Sequence, residues 1–168
     1  GDPASSPYLL PFPPGKRYQV SQSYCVQLGG HRNQLAYDFD LPIGEDVLAI
    51  RAGKVIQLKE DSPDDGRGAG DHNFVFILHD DGSVAFYAHL RQDGVDVEVN
   101  DRVEAGQRIA ASGNSGQTAG AHLHIQVFRR WPPNDDQDLP LVFSNAEGPL
   151  DPRGGLKQGG VYRAVDPG

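Results

Sequence analysis

The chain has no methionine, one cysteine and one tryptophan among its 168 residues. A lone cysteine, Cys25, excludes an internal disulfide and leaves the redox compartment unreadable. Its residue type fits a small buried side chain better than a nucleophile. The lack of methionine and the glycine at position 1 lead us to expect a processed or truncated product, from which any signal peptide has been removed. No apolar run approaches the roughly 20 residues of a bilayer-spanning helix. The longest, such as Phe74–Leu78, have the length of a strand. Basic residues are also scarce. Fifteen Lys and Arg against 23 Asp and Glu give a formal net charge of −8, which argues against nucleic acid or an anionic membrane as the main partner. Sustained helical periodicity and internal repeats are missing too.

What the chain has in quantity is turn punctuation. Its 21 glycines and 13 prolines are scattered between short apolar segments, which favours a loop-rich β protein over disorder. Strands are expected over Tyr18–Val26, Tyr37–Leu41, Val47–Ile50, Lys54–Lys59, Asn73–His79, Ser83–Leu90, Val95–Val103, Arg108–Ser112, His122–Phe128, Leu139–Phe143 and Val161–Val165. The clearest hairpin turns at Asp80-Asp81-Gly82. This spacing predicts an all-β fold with an antiparallel sheet core, a sandwich or partly closed barrel, with long loops around a groove. The expected organisation is an extended N-terminal arm at 1–17, a core at 18–130, and a loop-rich extension at 131–168 packed on the same domain. The acidic groups at Asp61, Asp64 and Asp65, at Asp80 and Asp81, and at Asp135, Asp136 and Asp138 read as solvated surface.

The segment His122-Leu123-His124-Ile125-Gln126-Val127 alternates strictly between polar and apolar residues. As a strand it puts His122, His124 and Gln126 on one face and Leu123, Ile125 and Val127 on the other. Two imidazoles beside each other above an apolar reverse face suit a metal or a reacting water on a rigid scaffold. A zinc hydrolase site needs three protein ligands from His, Asp or Glu and an open fourth position. His31 and Asp38 form a second candidate pair, and Asp40 is the rival to Asp38. By alternation Tyr87 and His89 share one face, while Phe86, Ala88 and Leu90 share the other. His72 and His79 read as turn or surface residues.

Several blocks of the chain resemble one family. Gly44-x-x-Val47-x-Ala49 followed by Ala52-Gly53-Lys54-Val55, then Tyr87-Ala88-His89-Leu90, are similar to stretches of lysostaphin-type (LytM-like) zinc metallopeptidases. So are Val99-x-x-x-Val103-x-x-Gly106-x-x-Ile109-x-x-Ser112-Gly113-x-x-Gly116 and the closing His122-Leu123-His124-Ile125. The blocks occur in order across roughly 18–130. The resemblance implies one Zn²⁺ per chain held by His31, Asp38 and His124, with His89 and His122 as non-ligand catalytic histidines. One departure stands out: six residues separate His31 from Asp38, against the three common in the family. Asp38 is preferred over Asp40 because the family aspartate sits six residues before the glycine that matches Gly44.

The resemblance further implies a zinc endopeptidase that hydrolyses cross-links or stem peptides of bacterial peptidoglycan. It would act outside the cytoplasm, periplasmic or secreted, as a monomer. An alternative class is the LytM-like module that has lost catalysis and regulates other wall hydrolases. The usual mark of that class is a missing ligand or histidine, and all five positions are filled here.

Overall fold

The computed structural model describes residues 2–24, 34–68 and 71–168. Its strands are β1 Arg17–Gln22, β2 Ala36–Phe39, β3 Asp46–Leu48, β4 Gly53–Lys59, β5 Asn73–Leu78, β6 Val84–Val95, β7 Arg102–Val103, β8 Arg108–Ser112, β9 Leu123–Phe128, β10 Ala146–Glu147 and β11 Val161–Ala164. They form one antiparallel sheet in the order β10-β11-β1-β2-β9-β6-β5-β4-β7, with β8 joined to β6 and β3 to β8. The expected antiparallel all-β fold is present, and among the described residues the sheet stays open rather than closing into a barrel. Expected strands near 99 and over Leu139–Phe143 do not form. Residues 96–101 are loop between β6 and β7, and the late pairing falls at Ala146–Glu147 instead. His122 lies just outside β9, which begins at Leu123. The Cys25 reading lies outside the described residues.

The main core fills one face of the sheet. Tyr37 and Phe39 of β2, Leu123, Ile125 and Val127 of β9, and Ala85 and Tyr87 of β6 are all buried there. Their registers place Tyr37 opposite Ile125, Phe39 opposite Leu123 and Tyr87 opposite Ile125. These are the same-face neighbours that stabilise a sheet. The N-terminal segment contributes to this core directly. Leu10 and Phe12 are buried, and the Phe12 ring meets Phe39 edge-on at 5.6 Å. From the other end of the chain, Tyr162 of β11 is buried in the same cluster.

The opposite face carries the intervening residues. One row across it reads Phe74, Ala88, His124, Asp38. The next reads Phe76, Phe86, Gln126, Ala36. Phe76 of this row joins Val84 and Phe128 in a second, smaller apolar cluster. β9 is thus flanked on both sides and covered on both faces, which is why all six of its residues are buried. A central strand of this kind holds its side chains with little freedom.

Candidate active site

Asp38 and His124 face each other directly across the β2–β9 pair. Their side chains meet with His124 Nδ1 2.9 Å from Asp38 Oδ1, both groups buried. On its other side His124 Nε2 lies 3.1 Å from Gln126 Oε1. Burial by itself lowers the pKa of His124, but the hydrogen bond and charge of Asp38 outweigh it, and the pKa is raised. The space between these two groups therefore favours positive charge.

His122 hangs from the loop just before β9. Its Nδ1–H donates to the Gly120 carbonyl at 2.9 Å, which leaves Nε2 3.7 Å from Asp38 Oδ2. His89 arrives from β6 by a different route. The β5–β6 register slips at this point: Phe74 pairs with Ala88, yet Asn73 pairs with Leu90. His89 is the extra residue of a bulge, with a positive φ of 63°. Bulges of this kind re-aim side chains next to functional sites. Here the bulge overturns the simple alternation. Tyr87 and Leu90 are both buried in the core, and His89 turns to the opposite face. There its ring centroid lies 4.5 Å from that of His122 and 6.3 Å from that of His124.

His89 Nδ1–H donates to the Ser115 carbonyl at 2.8 Å. His89 and His122 are therefore anchored alike: each spends Nδ1 on a backbone carbonyl and keeps the Nε2 lone pair as its remaining acceptor. Burial pushes the pKa of His89 down to about 4; the Ser115 carbonyl opposes this and the neighbouring His122, His124 and His72 reinforce it. The four groups open into one cleft of about 540 Å³, lined by Asp38, His89, His122 and His124 together with Gln34 and Gln117. Asp40 also reaches this cleft, but it is exposed, and Asp38 is the acid bonded to His124.

The structure thus brings together Asp38, His89, His122 and His124. His31 lies outside the described residues. Among the described residues, no group of three or more His, Cys, Asp or Glu side chains is arranged to hold a metal ion. Asp38 and His124 nevertheless fit part of a zinc donor set. Their donor atoms are only slightly closer than the roughly 3.3 Å edge of a tetrahedron with bonds near 2.0–2.1 Å. Both types are regular zinc ligands, and their surroundings favour a cation.

His72 and His79, expected at turns or the surface, both flank β5, and His79 closes the hairpin turn, but it is not exposed. His79 is buried, with Nδ1 2.9 Å from the Ala52 carbonyl. His72 is half-buried with its ring 5.4 Å from His89. Nor is Asp138 a solvated acid: its Oδ2 accepts from the Leu35 amide at 2.9 Å and from Gln126 Nε2 at 2.8 Å. Alternation already put Gln126 on the histidine face. Nothing in the sequence pointed to Asp138, which comes back to β9 only after the excursion that follows Trp131.

Residues 32–137 match the model of peptidase family M23. The chain belongs to that family. The M23 match takes in Asp38, His89, His122 and His124, and begins one residue after His31. Among relatives, the chain is 31% identical over 117 residues to the glycyl-glycine endopeptidase ALE-1 of Staphylococcus capitis, covering 69% of this chain and 30% of ALE-1. It is 36% identical over 109 residues to the peptidoglycan DD-endopeptidase ShyB of Vibrio cholerae, covering 64% of this chain and 24% of ShyB. Among solved structures, the catalytic domain of the antimicrobial peptidase lysostaphin from Staphylococcus simulans superimposes with a TM-score of 0.52 at 28% identity. That alignment covers 74% of this chain and 86% of the lysostaphin domain. This M23 chain spans about a third or less of the length of the curated relatives it matches.

Proposed function

We propose that this M23 domain is a zinc-dependent endopeptidase that hydrolyses peptide bonds in bacterial peptidoglycan cross-links or stem peptides, outside the cytoplasm. The observation that carries the reading is the convergence of Asp38, His89, His122 and His124 in one cleft, on the sheet face opposite the core. Relatives named as glycyl-glycine and DD-endopeptidases support the substrate class.

Asp38, His124 and His31 would hold the zinc. The chemistry zinc supplies when bound is Lewis acidity toward a carbonyl and toward water. The chain's own groups then manage the protons. His89, with its proton affinity held low by burial, is neutral at neutral pH and can accept a proton at Nε2. His122 Nε2 lies 3.7 Å from Asp38 Oδ2, so it faces the same space as the carboxylate. One of the pair takes the proton of the attacking water. The other stabilises the oxyanion or protonates the departing amine. The rigid backbone anchors at Ser115 and Gly120 fix both rings, so little reorganisation is needed as charge moves.

The test is mass spectrometry of peptidoglycan fragments after incubation with the zinc-loaded protein. Glycine-bridged sacculi and directly cross-linked diaminopimelate sacculi are offered side by side, with a chelated control. New chelator-sensitive fragments are expected, and their masses name the bond. Zinc binding without fragments from either wall would shift the reading to a latent enzyme or a regulatory module.

A further inference from the structure

We infer that Gln126 and Asp138 are a positioning pair that fixes which nitrogen His124 turns toward Asp38, and that Asp138 ties the strand after His31 to the same point. The inference rests on the zinc reading of Asp38 and His124.

The donor and acceptor logic starts at Asp138. Its Oδ2 accepts from the Leu35 N–H at 2.9 Å and lies 2.8 Å from Gln126 Nε2. A carboxylate oxygen only accepts, so the Gln126 amide must present its NH₂ to Asp138. The opposite orientation would set two acceptors against each other. Gln126 Oε1 therefore faces His124 Nε2 at 3.1 Å. That oxygen also only accepts, which requires the ring hydrogen to sit on Nε2. The neutral ring then aims its Nδ1 lone pair at Asp38 Oδ1, 2.9 Å away. Two acceptors at this separation need a cation between them: a proton on Nδ1 serves in the metal-free chain, and a metal takes its place when bound.

Position makes the pair effective. Gln126 is almost fully buried on β9, two residues beyond His124. Beyond Ala36, where β2 ends its pairing with β9, the returning chain takes over: the Leu139 N–H donates to the Val127 carbonyl at 2.8 Å, and Asp138 bridges to Phe128. Asp138 thus comes from the 131–168 extension and holds at once the central strand and the entry to β2. A segment outside the histidine motifs is made part of the ligand scaffold.

The experiment measures zinc dissociation constants of the whole chain by competition with a chromophoric chelator. Histidine ¹⁵N NMR of the zinc-loaded protein adds a readout of the ring. Gln126→Met and Asp138→Ala are expected to weaken zinc binding by about 10–100-fold and to lose the slowly exchanging Nε2–H signal of His124. Asp138→Asn, which keeps an oxygen acceptor for both donors, should stay close to wild type in both. Circular dichroism of the chelated variants checks that each is folded. Wild-type affinity and an unchanged Nε2–H signal in both Gln126→Met and Asp138→Ala would overturn the pair while leaving the zinc reading intact. A loss in Asp138→Asn equal to that in Asp138→Ala would also overturn it. A wild-type chain that binds no zinc would remove the reading beneath it.

Discussion

Asp38 on β2 and His124 on β9 are direct partners in the sheet register, and their side chains meet at 2.9 Å across two buried strands. The ladder that joins the strands therefore also sets the separation of the two groups. Either substitution should strip the metal with the fold retained. We expect His124→Ala and Asp38→Ala to carry almost no zinc by elemental analysis after gel filtration, and the wild type to carry one per chain. Stoichiometric zinc in His124→Ala would exclude it as a ligand.

His89 and His122 are anchored through Nδ1 to carbonyls, and the proposed function assigns Nε2 of each to the chemistry. Their removal should therefore separate binding from turnover. His89→Ala and His122→Ala are each expected to retain zinc and to lose about 10²–10⁴-fold in kcat, the usual worth of a positioned acid or base. Fragment release from labelled sacculi, measured beside zinc content, checks this. Metal loss in His122→Ala would move it into the ligand set.

The bulge that delivers His89 has a conformational cost. A φ of 63° suits glycine far better than a residue with a Cβ. Glycine and alanine lose the same imidazole contacts, so they compare the backbone alone. In urea denaturation, His89→Gly should be more stable than His89→Ala by about 1 kcal/mol, with both inactive. Equal stabilities would mean that the bulge relaxes once the ring is gone.

His79 makes the fold sensitive to acid far from the cleft. It is buried, with Nδ1 bonded to the Ala52 carbonyl and Nε2 without a hydrogen-bond partner among the described residues. Burial lowers its pKa below the ordinary 6.5, opposed by the Ala52 carbonyl and helped by the nearby Arg51 charge, while Asp80 and Asp81 pull weakly the other way. The folded pKa is thus below the unfolded one. Between the two values the unfolded chain binds a proton that the folded chain refuses. Stability from this group is present in full above about 6.5 and falls as pH drops toward the folded value. His89, held at about 4, adds a slope of the same sign. With chelator present, Tm should fall between pH 7 and 5, and His79→Gln should flatten the fall. An unchanged slope in His79→Gln would count against this assignment.

Much of the site was legible in one dimension because period-two alternation is a local property of the chain. The run from Leu123 to Val127 declared its buried face and its histidine face without a partner strand in view, and the structure keeps both. The ordered glycine, valine and histidine blocks made the M23 family recognisable. The reading failed where long-range pairing broke the period. His89 and Leu90 change faces relative to Tyr87 because β5 and β6 slip by one residue, and a slip belongs to two strands rather than to either sequence. His79 reads as a turn or surface residue; it lies at the turn, and its burial was not legible because it comes from distant chain.

By itself, the sequence determined the antiparallel β character, the core face of β9 and the residue types of the cleft, since these follow from side-chain chemistry and local periodicity. Only the tertiary structure decided that a bulge turns His89 toward His122, that the β2–β9 register sets Asp38 against His124, and that Asp138 closes on Gln126 from the far end of the chain. Those are distances between segments remote in sequence, fixed by strand register and by the core that packs behind the sheet.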